Sequence, residues 1–270
     1  MPNHFIILMW NIVLKGFYSL LIMVCLLMQA CTHNEESEKQ NFKKPNLSKA
    51  ASYNAQLGLG YLKQGDRPRA KKKLLTALEQ EPASPDVNSA LAYYFEQTKE
   101  LEQAEKYYLK AISLTGSGGA QLNNYGAFLC RQGDYKKAEK YFLKAANDVQ
   151  YIHTAGAYEN AGLCALTAPN DEKAMFYFTK ALNQDPSRKV SLYELLKLEI
   201  KMGKEQAAFA LVQNHPDLVL NDKMLLSLAK EVSEKVGQHQ IAAQYEQSIN
   251  NLNSYIDNSG VNNEHNNHSG

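Results

Sequence analysis

Residues 122–146 read LNNYGAFLCRQGDYKKAEKYFLKAA, and the pattern recurs on both sides. Upstream, 53–78 read YNAQLGLGYLKQGDRPRAKKKLLTAL and 88–112 read NSALAYYFEQTKELEQAEKYYLKAI; downstream, 158–182 read YENAGLCALTAPNDEKAMFYFTKAL. In register, a small residue falls at Gly58, Ala92, Gly126 and Gly162, followed twelve residues later by Ala70, Ala104, Ala138 and Ala174. A bulky residue comes next at Leu74, Tyr108, Phe142 and Phe178, then Ala77, Ala111, Ala145 and Ala181. The steps are 34, 34 and 36 residues, so two extra residues enter near Val149–Ala155. An ordinary helical bundle keeps no fixed period; a period of this length marks a stacked array.

These columns resemble the tetratricopeptide pattern, and the residue types have physical reasons. Gly or Ala on a first helix and Ala on the second let antiparallel helices approach closely, and the aromatic or Leu fills the hole toward the next unit. Gly65 and Gly133, each followed by Asp, supply the turn between helices, with Lys99 and Pro169 in the equivalent places. Two weaker units continue in phase, marked by Gly203, Gly237, Ala208 and Ala242. The expected fold is all-α, a right-handed superhelical array of about six tetratricopeptide-type hairpins. The units are placed at 51–84, 85–118, 119–152, 155–188, 189–222 and 223–256, and the Asn/Gly/Ser/His-rich stretch 257–270 is read as a disordered tail.

The N-terminus reads as an export signal. Residues 16–30 are an uncharged apolar run behind Lys15, too short to span a bilayer, and Cys31 comes directly after Ala30. Met28-Gln29-Ala30-Cys31 resembles the bacterial lipobox, whose Cys takes a diacylglycerol thioether and becomes the new N-terminus. Thr32 in place of Asp favours the periplasmic face of the outer membrane over inner-membrane retention. Residues 31–50, lipidated Cys31 and the polar stretch after it, form the tether. Either Met1 or Met9 can be the start.

Composition excludes several function classes. Of 29 basic and 28 acidic residues, the leader carries only Lys15, so the chain from Cys31 onward has 28 of each and lacks the basic excess of nucleic-acid binders. No phosphate-cradling glycine loop, Gly-x-Ser-x-Gly or His-Glu-x-x-His occurs. No catalytic residue, metal site, cofactor or small-molecule substrate is assigned; His265 and His268 sit in the tail. The expectation is a protein-binding scaffold and not an enzyme.

Cys130 and Cys164 fall at matched late positions in the first helices of adjacent units, and export places them in an oxidising compartment, so a disulfide is expected. First helices line the concave face of such stacks. The register puts Leu59, Leu62, Tyr93, Ala127, Leu163 and Leu166 in that groove, rimmed by Asn123, Asn124, Arg131 and Glu159.

Leu122-Asn123-Asn124-Tyr125-Gly126-Ala127-Phe128-Leu129-Cys130 and Tyr158-Glu159-Asn160-Ala161-Gly162-Leu163, behind a lipobox, resemble the type IV pilus biogenesis and stability lipoprotein family, the PilF/PilW pilotins. The resemblance covers roughly 31–256. It implies an outer-membrane lipoprotein that binds the type IV pilus secretin subunit and supports its localisation and multimerisation. Two rivals stay open: a lipoprotein adaptor scaffolding peptidoglycan hydrolases or a protease, and an enzyme with a helical-repeat accessory region.

Overall fold

The computed structural model describes residues 46–116 and 118–264. The leader, Cys31 and most of the tether lie outside the described residues. Within them the chain forms thirteen helices and no strand: α1 (Leu47–Lys63), α2 (Arg67–Gln80), α3 (Pro85–Gln97), α4 (Leu101–Thr115), α5 (Gly119–Arg131), α6 (Tyr135–Ala146), α7 (Thr154–Thr167), α8 (Asp171–Gln184), α9 (Lys189–Lys201), α10 (Glu205–Asn214), α11 (Pro216–Leu220), α12 (Lys223–Lys235) and α13 (His239–Glu264). The first eight helices pair as four hairpins; α9/α10 with the short α11, and α12/α13, make two more, each packed on the next. This is the all-α tetratricopeptide-type array that the period predicts.

The repeat columns become the core. A Cβ built on Gly58 would stand 2.6 Å from Leu74 Cγ, on Gly126 2.9 Å from Phe142 Cδ1, and on Gly162 2.6 Å from Phe178 Cε1. The small residue is therefore required by the bulky one sixteen positions later in its own hairpin. Ala70, Ala104, Ala138 and Ala174 are all fully buried.

Turn chemistry repeats as well. At Gly65 the chain turns left-handed (φ 81°), with Asp66 N–H donating to Tyr61 O and Gly65 N–H to Leu62 O, the Schellman arrangement. Asp66, Asp134 and Asn170 then cap α2, α6 and α8 by accepting from the N–H three residues on. Lys99 makes the same turn at φ 68°, where a side chain is strained.

Two boundaries differ from the sequence reading. Helix α1 begins at Leu47, inside the span given to the tether, and α13 runs to Glu264, through residues read as a disordered tail. In both cases a packed segment nucleates the helix, Ala51 being fully buried in α1, and propagation then adds a hydrogen bond per residue. In the fifth unit α10 stops at Asn214, because Pro216 has no N–H to continue the ladder and opens α11 instead.

Candidate functional site

Helices α1, α3 and α5 pack side by side and wall a groove of about 880 Å³. Its sides are Leu59 and Leu62 from α1, Tyr93 from α3, and Asn124, Ala127 and Arg131 from α5. Six of the groove residues expected from sequence thus meet in one place. Tyr93 is 41 % exposed, an aromatic face turned to solvent. Lys63 and Arg67 bring positive charge to one end, while Asp86 accepts a hydrogen bond from Gln121 Nε2 at 3.1 Å. Ser89 lines the groove with a buried Oγ that has no protein partner.

A charged cluster fixes the Arg131 side of the groove. Glu96, 4 % exposed, accepts from Arg131 through Nε and, at 2.9 Å, Nη2, and from the Tyr108 hydroxyl at 2.9 Å. Burial, followed by the nearby Glu96 charge and its hydrogen bond, pushes the Tyr108 hydroxyl far above the usual tyrosine range, so it stays a neutral donor. Burial opposes the Arg131 charge, but the hydrogen bond and charge of Glu96 outweigh it and hold the guanidinium above its ordinary value. Arg131 is thereby set in one orientation with an edge open to the groove.

The other four expected residues are placed differently. Glu159 is not at an open rim: it is 8 % exposed and accepts from Arg188 Nε and Nη2, from Ser191 Oγ at 2.8 Å and from Ser191 N at 3.2 Å. The N-terminus of α9 has free N–H groups and no side-chain cap of its own, and the Glu159 carboxylate supplies one from the preceding unit. Asn123 is half-buried and accepts from Asn160 Nδ2 at 3.0 Å, a tie between α5 and α7. Leu166 lines a second groove of about 540 Å³ with Leu198, Ile200 and Leu228, and Leu163 is 37 % exposed on α7. Between the two grooves Cys130 and Cys164 are joined by a disulfide with Cα atoms 5.8 Å apart, stapling α5 to α7.

Arg67 and Tyr108 also line the groove, and sequence reasoning misses both. Arg67 opens α2 just past the turn, and Tyr108 belongs to the bulky core column, so neither carries a first-helix signature. The Glu96–Arg131 pair has a weak sequence signal, opposite charges at neighbouring groove positions of consecutive units. Among the described residues no group of three or more His, Cys, Asp or Glu could hold a metal ion, and no helix is long and apolar enough to cross a membrane.

Comparison with known proteins fits this architecture. The tetratricopeptide repeat family profile matches residues 56–119. The type IV pilus assembly protein PilF of Pseudomonas aeruginosa is 37 % identical over 147 residues, which is 53 % of this chain and 58 % of that protein. The match thus spans less than two thirds of PilF. The solved structure of Pseudomonas aeruginosa PilF superposes with a TM-score of 0.60 at 30 % identity, over 76 % of this chain and 93 % of that one. PilW, described as a widely conserved type IV pilus biogenesis factor, shares the fold with a TM-score of 0.57 at 23 % identity, over 76 % of this chain and 94 % of its own. With the repeat columns, the hairpin stack and near-complete cover of the solved PilF chain in agreement, this chain belongs to the PilF/PilW family of tetratricopeptide-repeat proteins of type IV pilus biogenesis.

Proposed function

We propose that this protein works in type IV pilus biogenesis, held by an acylated Cys31 at the periplasmic face of the outer membrane. There it binds a segment of the pilus secretin subunit and supports secretin localisation and multimerisation. The groove of the first three units carries this reading. Apolar walls at Leu59, Leu62 and Tyr93 offer anchor sites for the partner. Lys63, Arg67 and the fixed Arg131 outweigh Asp86 and Glu96, which favours a segment with an acidic group beside its apolar anchor. The role is scaffolding, with no reaction assigned to any residue.

Tyr93→Ala, checked for folding by circular dichroism, tests the groove. An aromatic hot spot contributes about 2 kcal/mol, so Tyr93→Ala weakens secretin capture roughly thirtyfold and depletes heat-stable multimers on unboiled gels. Controls at the exposed second-helix residues Lys106 and Lys140 leave multimers intact. Full assembly in a folded Tyr93→Ala variant moves the binding surface elsewhere, and normal pili after gene deletion discard the role. Cys31→Ser separately tests the anchor: the precursor stays unprocessed and takes up no palmitate.

A further inference from the structure

Antiparallel hairpins place every connection between units, and the N-terminus of α1, along one edge of the array. Side-chain ties run along that edge: Thr154 at the start of α7 donates to Gln184 at the end of α8, Gly119 N–H donates to Asp148 Oδ2 at 2.7 Å, and Lys223 donates to Asn253. The same edge exposes apolar side chains. Val149 is 99 % exposed and Ile152 87 %, joined by Leu47, Val190, Leu220 and Met224. At the opposite edge, where the turns within units lie, the exposed large apolar residues are Leu101 and Met202.

The loop bearing Val149 and Ile152 is a built feature. It contains the two residues that break the period. Asp148 accepts from Gly119 N–H and, at 3.0 Å, from Gln150 N–H, Tyr151 N–H donates to Asp148 O, and the Tyr151 side chain lies where a Cβ on Gly119 would meet it at 2.4 Å. A loop held this firmly with two large aliphatic groups in water presents them to something apolar. Two acids nearest the exposed aliphatic groups are already engaged: Asp148 as described, Asp222 by Lys189 and the first N–H groups of α12. No unpaired carboxylate from these residues opposes an apolar contact.

We propose that this edge rests on the bilayer that carries the N-terminal anchor, with Val149 and Ile152 dipping into the boundary between headgroups and acyl chains. The occupant is identified by where the chain leaves the structure. Leu47 opens α1 on this edge, and the sixteen steps back to Cys31 reach at most about 55 Å when extended. An anchor at Cys31 keeps the bilayer within that distance of the exposed side chains, and aliphatic groups on a firm loop suit shallow interfacial insertion. The proposal rests on the reading of Cys31 as the anchor.

The chain from Cys31 onward keeps every described residue, leaves behind Trp10, the one tryptophan, and has a single unbonded thiol at Cys31. It is coupled through that thiol to maleimide-lipid vesicles of phosphatidylethanolamine and phosphatidylglycerol, with brominated acyl chains as quencher. Ile152→Trp places a fluorophore on the loop and Leu101→Trp one on the opposite edge. The expected result is emission from the Ile152→Trp chain shifted to the blue and quenched roughly twofold or more, with the Leu101→Trp chain unchanged. Equal quenching of the two, or water-like emission from both, overturns the proposal. Thiol coupling supplies the tether directly, so absence of palmitate on Cys31 in cells would remove the anchor reading without deciding this test.

Discussion

Replacing Arg131 by methionine strips two hydrogen bonds from Glu96 and leaves Tyr108 as its donor. Breaking a buried ion pair from one side costs about 3–5 kcal/mol. The Arg131 side chain is 48 % exposed against 5 % for Glu96, so water replaces part of what is lost, and about 2–3 kcal/mol is the better figure for this pair. Tyr108→Phe removes one bond to a charged acceptor and costs about 1.5–3 kcal/mol. Combining Glu96→Leu with Arg131→Met and Tyr108→Phe removes the charge together with both of its partners and restores stability to within about 1 kcal/mol of the parent. Because array stability is a sum of units and interfaces, the loss falls on the contact between the second and third units. Urea unfolding followed by circular dichroism, with amide exchange along α5, measures it. A loss below about 0.5 kcal/mol in Arg131→Met, or a triple variant as unstable as that single one, refutes the account of the cluster.

Lys99→Gly relieves a left-handed residue and is expected to raise stability by about 0.5–1 kcal/mol in urea melts, after the added freedom of the unfolded chain is subtracted. Non-reducing peptide mapping of protein isolated from cells should find Cys130 joined to Cys164, and the Cys130→Ala/Cys164→Ala pair should lose roughly 3–4 kcal/mol, the loop-closure value for this separation. Burial raises the Asp222 pKa, but the Lys189 hydrogen bond and the Leu225 and Met224 N–H groups hold it below the ordinary carboxylate value. A depressed folded pKa stabilises above the unfolded carboxylate pKa, and the contribution vanishes as pH falls through the folded one. Asp222→Asn should therefore be less stable at neutral pH and show a shallower loss on acidification below about pH 4 in pH-dependent thermal melts.

The fold is legible in the sequence because its determinants are local and periodic. Gly126 facing Phe142 and Gly162 facing Phe178 are close-packing requirements that recur every unit, and Gly65 followed by Asp66 specifies a turn and a cap in two residues. The groove is legible to the extent that the first-helix register decides exposure, which places Leu59, Leu62, Tyr93, Asn124, Ala127 and Arg131 together. Glu159 misleads because the same register position serves a second purpose: at the start of α7 its carboxylate reaches the free N–H groups of α9. A carboxylate that closes the next helix and one that lines an open face share a sequence position. Only the distance to Ser191 separates them. Asn123 is ambiguous for the same reason, its partner Asn160 being 37 residues away.

These polar ties share a direction. Glu96 with Arg131, Glu139 with Lys173 and Tyr177, Glu159 with Arg188 and Ser191, and Asp171 with Lys201 all join one unit to the next. In Glu139, burial opposes ionisation, but the hydrogen bonds from Lys173 and Tyr177 prevail and hold its pKa below the usual value. Apolar packing in a repeat array tolerates small rotations of one unit on its neighbour, since Leu and aromatic contacts have no strong angular preference. Charge-assisted hydrogen bonds do have one, and the Cys130–Cys164 bridge adds a covalent limit between the third and fourth units. The separation between α3 and α5 is therefore set largely before a partner arrives, and the proposed binding in the groove need not supply the ordering free energy that two flexible walls would require. In the proposed binding mode the Glu96–Arg131 pair is a positioning device for recognition as well as a stability element. In the compensated Glu96→Leu/Tyr108→Phe/Arg131→Met chain the fold is retained while the groove loses the Arg131 charge together with the angular constraint of its walls, so the proposed secretin capture should fall several-fold although stability does not. Unchanged capture in that chain would assign the pair to stability alone.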